Sequence, residues 1–200
     1  MAGRSYFTRA ALVCVLLRAA LAPPAAAGEP VRSRWVREAG LNLGYGTGET
    51  QQGRYSFVSV LPRVGLDLGE AFGLAGLRPP GVLEVVIEPL VNFATEPAFD
   101  YEAGVGLLFK WGYRLGPFMP FVEAGAGVIS MNDLVREQAP GCNFIPQIGP
   151  GLHLFLTRGW ALTLAWRFRH LSDCGLSERN HGVNTDIFLV GATYLFEPEP

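Results

Sequence analysis

Lysine is almost missing from this chain: of the 16 basic residues, every one but Lys110 is arginine. A surface that meets water ordinarily carries lysine in quantity, so much of this surface faces something else. Charge of either sign is sparse, at 17% of residues with a formal net charge of −2. That leaves no basic footprint for nucleic acid. No long apolar run follows the leader. The longest uncharged stretch, Gln138 to Thr157, is interrupted by Pro140, Pro146 and Pro150, which excludes a membrane-spanning helix there. No window carries a 3.6-residue apolar stripe, and no phosphate loop, zinc spacing or metal-ligand cluster appears, so no cofactor is implied. What the chain has instead is 25 Gly and 15 Pro in 200 residues, with 49% hydrophobic residues. Such a mixture excludes a coiled coil and a wholly disordered chain, and the length suits one domain.

Residues 1–27 read as a secretory signal peptide. Arg4 and Arg9 precede an apolar stretch from Ala10 to Ala22, too short to span, and Ala25-Ala26-Ala27 supplies small residues for cleavage before Gly28. Removing it takes away Arg4, Arg9 and Arg18, so residues 28–200 hold 13 basic and 18 acidic residues, a charge of −5. No separate linker or longer repeat divides 28–200, which is expected to form one domain.

Within that domain the recurring period is two. In 159–170, Trp160, Leu162, Leu164, Trp166 and Phe168 oppose Ala161, Thr163, Ala165, Arg167 and Arg169. In 82–93, Leu83, Val85, Ile87 and Val91 oppose Glu84, Glu88 and Asn92; in 100–111, Tyr101, Val105, Leu107, Phe109 and Trp111 oppose Glu102 and Lys110. Segments 54–68, 119–129, 143–156 and 184–196 behave alike, and 34–45 more weakly. Eight strands follow, each near the 9–11 residues of a tilted membrane strand.

Alternation alone does not say which face points inward. A soluble lipocalin-like barrel buries the apolar class, and an outer-membrane barrel buries the other. Three features favour the membrane form. The charged class holds many glycines (Gly104, Gly106, Gly125, Gly127, Gly149, Gly151), which suits a narrow eight-stranded lumen. It balances Asp67, Glu84, Glu88, Glu102 and Glu123 against Arg63, Lys110, Arg167 and Arg169. The last strand closes on the aromatics Tyr194 and Phe196. The expectation is an all-β, eight-stranded antiparallel transmembrane β-barrel of the outer-membrane type. With a periplasmic N-terminus, 46–53, 94–99, 130–142 and 171–183 become external loops. Thr157-Arg158-Gly159 becomes a periplasmic turn, and 69–81 a periplasmic turn of unusual length.

Three histidines are available for chemistry. His153 shares the parity of Gln147 and Gly149 and points into the lumen as a structural residue, while His181 lies in the last loop without a patterned partner. His170 continues the Trp160–Phe168 series at the end of its strand, with Ser172 two residues on. If the strand persists, both side chains point outward at the external rim. There an imidazole can serve a serine hydroxyl as general base. The bland reading is a rim histidine and a wet loop serine.

The stretch Arg169-His170-Leu171-Ser172-Asp173-Cys174-Gly175-Leu176, followed by Asn180-His181-Gly182-Val183-Asn184, resembles the lipid A 3-O-deacylase family (acyloxyacyl hydrolases). Val60-Leu61-Pro62-Arg63, Ile87-Glu88-Pro89-Leu90-Val91-Asn92 and Asn143-Phe144-Ile145-Pro146-Gln147-Ile148-Gly149 extend the likeness over most of residues 28–200. The resemblance implies an outer-membrane serine esterase that takes lipid A of lipopolysaccharide as substrate and hydrolyses its 3-O-linked acyl chain. On that pattern His170 is the general base, Ser172 the nucleophile and Asn184 the third triad member. Asp173, Gly175 and Asn180 occupy the oxyanion and substrate neighbourhood. The chain departs from the family twice. Asp173 stands where the family has Asn, and a carboxylate there repels an oxyanion unless turned away. Asn184 stands where the best-known members have Glu, and an amide orients imidazole without stabilising imidazolium by charge. Glu178 and Asp186 are alternative acids. Asn180 reads equally as a turn former before Gly182.

Cys142 and Cys174, in the last two external loops, suit a disulfide in an exported chain, and Cys174 is also a weaker candidate nucleophile. The rival to the esterase is a non-catalytic outer-membrane barrel of the same descent, with a structural or surface-interaction role.

Overall fold

The structure is a computed structural model that describes residues 35–51, 53–77, 79–173 and 176–196. The signal peptide expected over residues 1–27 lies outside them, as do Cys174 and Gly175. Among the described residues no helix is long and apolar enough to cross a membrane. The strands are β1 (Val36–Thr50), β2 (Gly53–Asp67), β3 (Val82–Glu96), β4 (Asp100–Gly112), β5 (Phe118–Met131), β6 (Gly141–Phe144), β7 (Gln147–Phe155), β8 (Trp160–Leu171) and β9 (Val183–Leu195). Neighbours pair antiparallel in the order β1-β2-β3-β4-β5-β7-β8-β9, and β9 pairs with β1 to close the sheet. The result is an eight-stranded antiparallel barrel whose sixth strand is split into β6 and β7.

The split has a local cause. Pro146 has no amide hydrogen to give a ladder, and it falls between β6 and β7. Both halves still run along β5, through Ile129↔Asn143 on one side and Gly125↔Gln147 on the other. The paired segments also reach further than alternation indicates. β1 and β2 meet at Thr50↔Gly53, so the expected 46–53 loop shrinks to a tight turn. The long turn 69–81 contains a short helix, α1 (Gly69–Leu74).

Burial is inverted, as the alternation of the charged class requires. Glu38, Arg63, Glu84, Glu88, Glu102, Lys110, Glu123, Arg167 and Arg169 are all buried, whereas Leu43, Leu107, Phe109, Ile148 and Phe188 are each at least half exposed on the outer wall. Aromatics ring the end that carries the termini: Trp35, Trp111, Tyr113, Trp160 and Phe196 are exposed there, the girdle an outer-membrane barrel presents to the interface.

The lumen is filled by ion pairs. Arg63 reaches Glu38 at 2.9 Å, Glu123 at 2.8 Å and Glu88 at 3.5 Å, and Arg167 pairs with Glu88 and Glu123. Lys110 pairs with Glu38 and Glu84, and Arg169 with Glu102, which also accepts Tyr55 Oη–H at 2.9 Å. His153 lies in this interior, its Nδ1 2.9 Å from Thr163 Oγ1 and its ring stacked on Phe121. Glu38, absent from the charged set read from alternation, is one of its hubs. Asp67, placed in that set, is instead half-buried at the barrel's end, 3.8 Å from Arg37. A lumen cavity of about 10 Å³ beside Ser59, Asn92 and Gln147 has room for roughly one water.

Replacing Arg63 with Ala would leave Glu38, Glu88 and Glu123 short of their shared cation. Breaking a buried pair in this way costs about 3–5 kcal/mol. In detergent, Arg63→Ala should lower the urea midpoint at which the fast-migrating folded band is lost, and an unchanged midpoint would mean the pair adds nothing.

Candidate functional site

β8 carries Trp160, Leu162, Leu164, Trp166 and Phe168 outward in turn, and His170 comes next on the same side. Its partner across the β8–β9 ladder is Asn184, which shares the exposed face with Phe188 and Val190. The imidazole Nδ1 lies 2.6 Å from Asn184 Oδ1. An amide oxygen only accepts, so Nδ1 is the donor, and the neutral ring in this tautomer keeps its lone pair on Nε2.

The β8 backbone does persist to Ser172. Where Pro146 ends β7, the chain exchanges partners: His170 N–H donates to Pro146 O at 2.9 Å, Ser172 N–H to Phe144 O at 3.0 Å, and Phe144 N–H to Ser172 O at 2.6 Å. Ser172 is therefore held in an antiparallel bridge, two residues beyond His170 and on its side of the strand. Among the described residues, Ser172 Oγ makes no hydrogen bond to the ring, an open geometry common before substrate arrives.

Gly182 supplies a contact that spacing alone does not reveal. Its φ is +72°, and a Cβ there would sit 2.6 Å from His170 Cε1 and 3.0 Å from Nε2. The Gly182 backbone thus backs the edge of the ring that bears the free nitrogen. The motif glycine serves that close approach as well as the turn.

The other expected residues take structural places. Asn180 is a brace: its Oδ1 accepts Asp173 N–H at 3.0 Å and Gln138 Nε2–H at 3.2 Å. The Asp173 side chain is buried, and its carboxylate accepts Ser177 Oγ–H, so it is turned into the loop. Asp186 accepts Trp166 Nε1–H at 3.1 Å, and Glu178 is exposed in the loop. Cys142 is exposed on β6; the bridge expected from it ends on Cys174, outside the described residues.

Two loops are latched together over this end. Ala139 N–H donates to Arg179 O and His181 N–H to Glu137 O, both near 3 Å, and Gln138 bridges Asn180. Arg179 clamps the far loop through Asp133 Oδ1 at 2.7 Å and the carbonyls of Val135 and Gln138. That hydrogen bond holds the Asp133 carboxyl below its ordinary range. The latch leaves no signal in the sequence, because its two halves are some 40 residues apart.

Alanine at Gly182 should push the imidazole off Asn184. The nitrogen chemical shifts of His170 in labelled protein would then lose the Nδ1-protonated pattern. Gly116→Ala is the control: its φ is +61° but nothing lies within 4 Å of the new methyl, so it carries similar backbone strain without the collision. Equal effects of the two would remove Gly182 from the site.

Comparison with known proteins sets these residues in context. The family model of PagL, described as lipid A 3-O-deacylase, matches residues 81–193. The crystal structure of the outer membrane enzyme PagL is similar over 78% of this chain and 99% of that one, at 20% identity and a TM-score of 0.54. That of Neisserial surface protein A (NspA) is similar over 82% and 98%, at 11% identity and a TM-score of 0.59. At such identities the two structures speak for the fold. No curated protein matches.

Proposed function

Because the chain belongs to the lipid A 3-O-deacylase (PagL) family, we propose that it is an outer-membrane serine esterase that hydrolyses the 3-O-linked acyl chain of lipid A. The observation that carries this reading is the 2.6 Å contact from His170 Nδ1 to Asn184 Oδ1, on the outer wall two residues before Ser172. A histidine whose Nδ1 is occupied and whose Nε2 is free, next to a serine, on a surface that meets lipid, is the arrangement ester hydrolysis in a membrane requires.

In the proposed reaction His170 Nε2 takes the proton of Ser172 Oγ as the oxygen attacks the ester carbonyl. The tetrahedral intermediate collapses when the imidazolium returns that proton to the departing sugar oxygen, leaving the acyl group on Ser172. Water, deprotonated by the same nitrogen, then releases the fatty acid. Asn184 keeps the ring in the tautomer that both steps use. With Asp173 bound to Ser177, its charge is drawn away from the developing oxyanion, which removes the conflict that residue raises in the motif. Asn180 acts through the loop and not on the substrate. The barrel is set with this end in the outer leaflet, where lipid A lies.

Lipid A from cells with and without the protein, compared by mass spectrometry, tests the reading. The enzyme should remove one 3-linked acyl chain, and Ser172→Ala should abolish the change while the barrel still folds and remains heat-modifiable. Triad disruptions cost on the order of 10⁴ to 10⁶ in turnover. An unchanged spectrum with the parent protein would favour a non-catalytic barrel, and activity retained by Ser172→Ala would require another nucleophile, Cys174 first.

Asn184 separates orientation from charge. Asn184→Ala should lower kcat because the ring loses its partner, whereas Asn184→Glu should preserve or raise it. Steady-state rates in detergent would show this. An Asn184→Ala variant as fast as its parent would take the residue out of the triad.

A further inference from the structure

The family resemblance leaves the imidazolium without an adjacent carboxylate, and the ladder indicates where one stands. β9 pairs with β1 through Gly46↔Ile187 and Thr47↔Asp186. The ladder ends at that pair, and the same register carried two residues further sets Glu49 on β1 opposite Asn184 on β9. The strands stay adjacent one residue past the ladder's end, since a Cβ on Gly48 would lie 2.1 Å from Asn184 O. Thr47 and Glu49 share the outward parity of Leu41, Leu43 and Tyr45, and both Glu49 and Asn184 are exposed. Residues directly opposite in an antiparallel pair have Cβ atoms about 4.5–5.5 Å apart, within reach of a Glu carboxylate and an Asn amide. Asn184 Oδ1 is committed to His170, which leaves Nδ2 as a donor. Among the described residues, neither that nitrogen nor the Glu49 carboxylate has a hydrogen-bond partner.

We propose that Glu49 is a positioning residue for the reaction proposed above: its carboxylate accepts Asn184 Nδ2–H, and the row His170–Asn184–Glu49 spreads the triad's acid over three strands, β8, β9 and β1. Asn184 then orients the ring and Glu49 provides the negative charge the amide lacks. Asp186 is less suited, because its oxygen is engaged by the Trp166 indole and it lies opposite Phe168, one outward step below His170. Glu178 belongs to a loop and has no fixed register with the ring.

The inference rests on the esterase reading, and a double-mutant cycle keeps the two apart. Deacylation of purified lipid A would be followed in detergent for the parent, Glu49→Gln, Asn184→Asp and the double variant. Glu49→Gln should lower kcat roughly tenfold, the effect of one unit charge about two strand spacings away at a protein surface, with KM unchanged. In the Asn184→Asp background, where the charge already sits beside the ring, Glu49→Gln should cost nothing. A Glu49→Gln enzyme with the parent's kcat, or the same loss in both backgrounds, would overturn the role of Glu49 and leave the esterase intact. A parent that releases no acyl chain would instead overturn the esterase reading itself.

Discussion

Arg63 on β2 and Arg167 on β8 face each other across the lumen and share Glu88 of β3 and Glu123 of β5. Four strands from different parts of the wall are thereby joined through the barrel's axis. An eight-stranded interior is only wide enough for side chains to fill, so charges sent there must find partners among themselves. The same constraint decides the outer surface. Strand side chains alternate strictly, and a slip of one residue would carry every guanidinium into lipid. Pairing inside therefore forces the apolar class outward and makes the membrane the medium of this fold.

The candidate site arises where that repeat runs out. His170 and Asn184 obey the parity of the lipid-facing series, yet they stand two outward steps beyond its last large apolar pair, Trp166 and Phe188. At this level β8 gives up β7 at Pro146 and takes the backbone of Phe144 as its neighbour. The exchange keeps the strand extended as far as Ser172, and Asn180 of the latched loops holds the amide of Asp173 after it. The candidate residues thus sit on an exposed wall with their backbone fixed by strand pairing.

How much of this is legible in the residues varies with what marks each face. β8 is plain because Trp, Leu and Phe oppose Thr and Arg. β1 is faint because its inward positions include Gly40, Gly44 and Gly46, whose space is taken by Thr193, Leu189 and Phe57 from neighbouring strands. With no side chain to signal the lumen, Glu38 stays hidden although it binds both Arg63 and Lys110. The outward placement of His170 follows from counting by twos, whereas its backing by Gly182 depends on a backbone angle no composition reveals. In sequence Asn180 fits turn former and substrate ligand alike, because its Gln138 partner comes from a different loop.

The filled axis also has an electrical side. Where Arg167 and Glu88 line it beside Ser59 and Gln147, the axis has space for about one water, a constriction too narrow for a hydrated ion. Such a constriction would hold the conductance of a membrane carrying many copies close to that of the lipid. Work done on the outer wall of such a barrel is separated from transport through it.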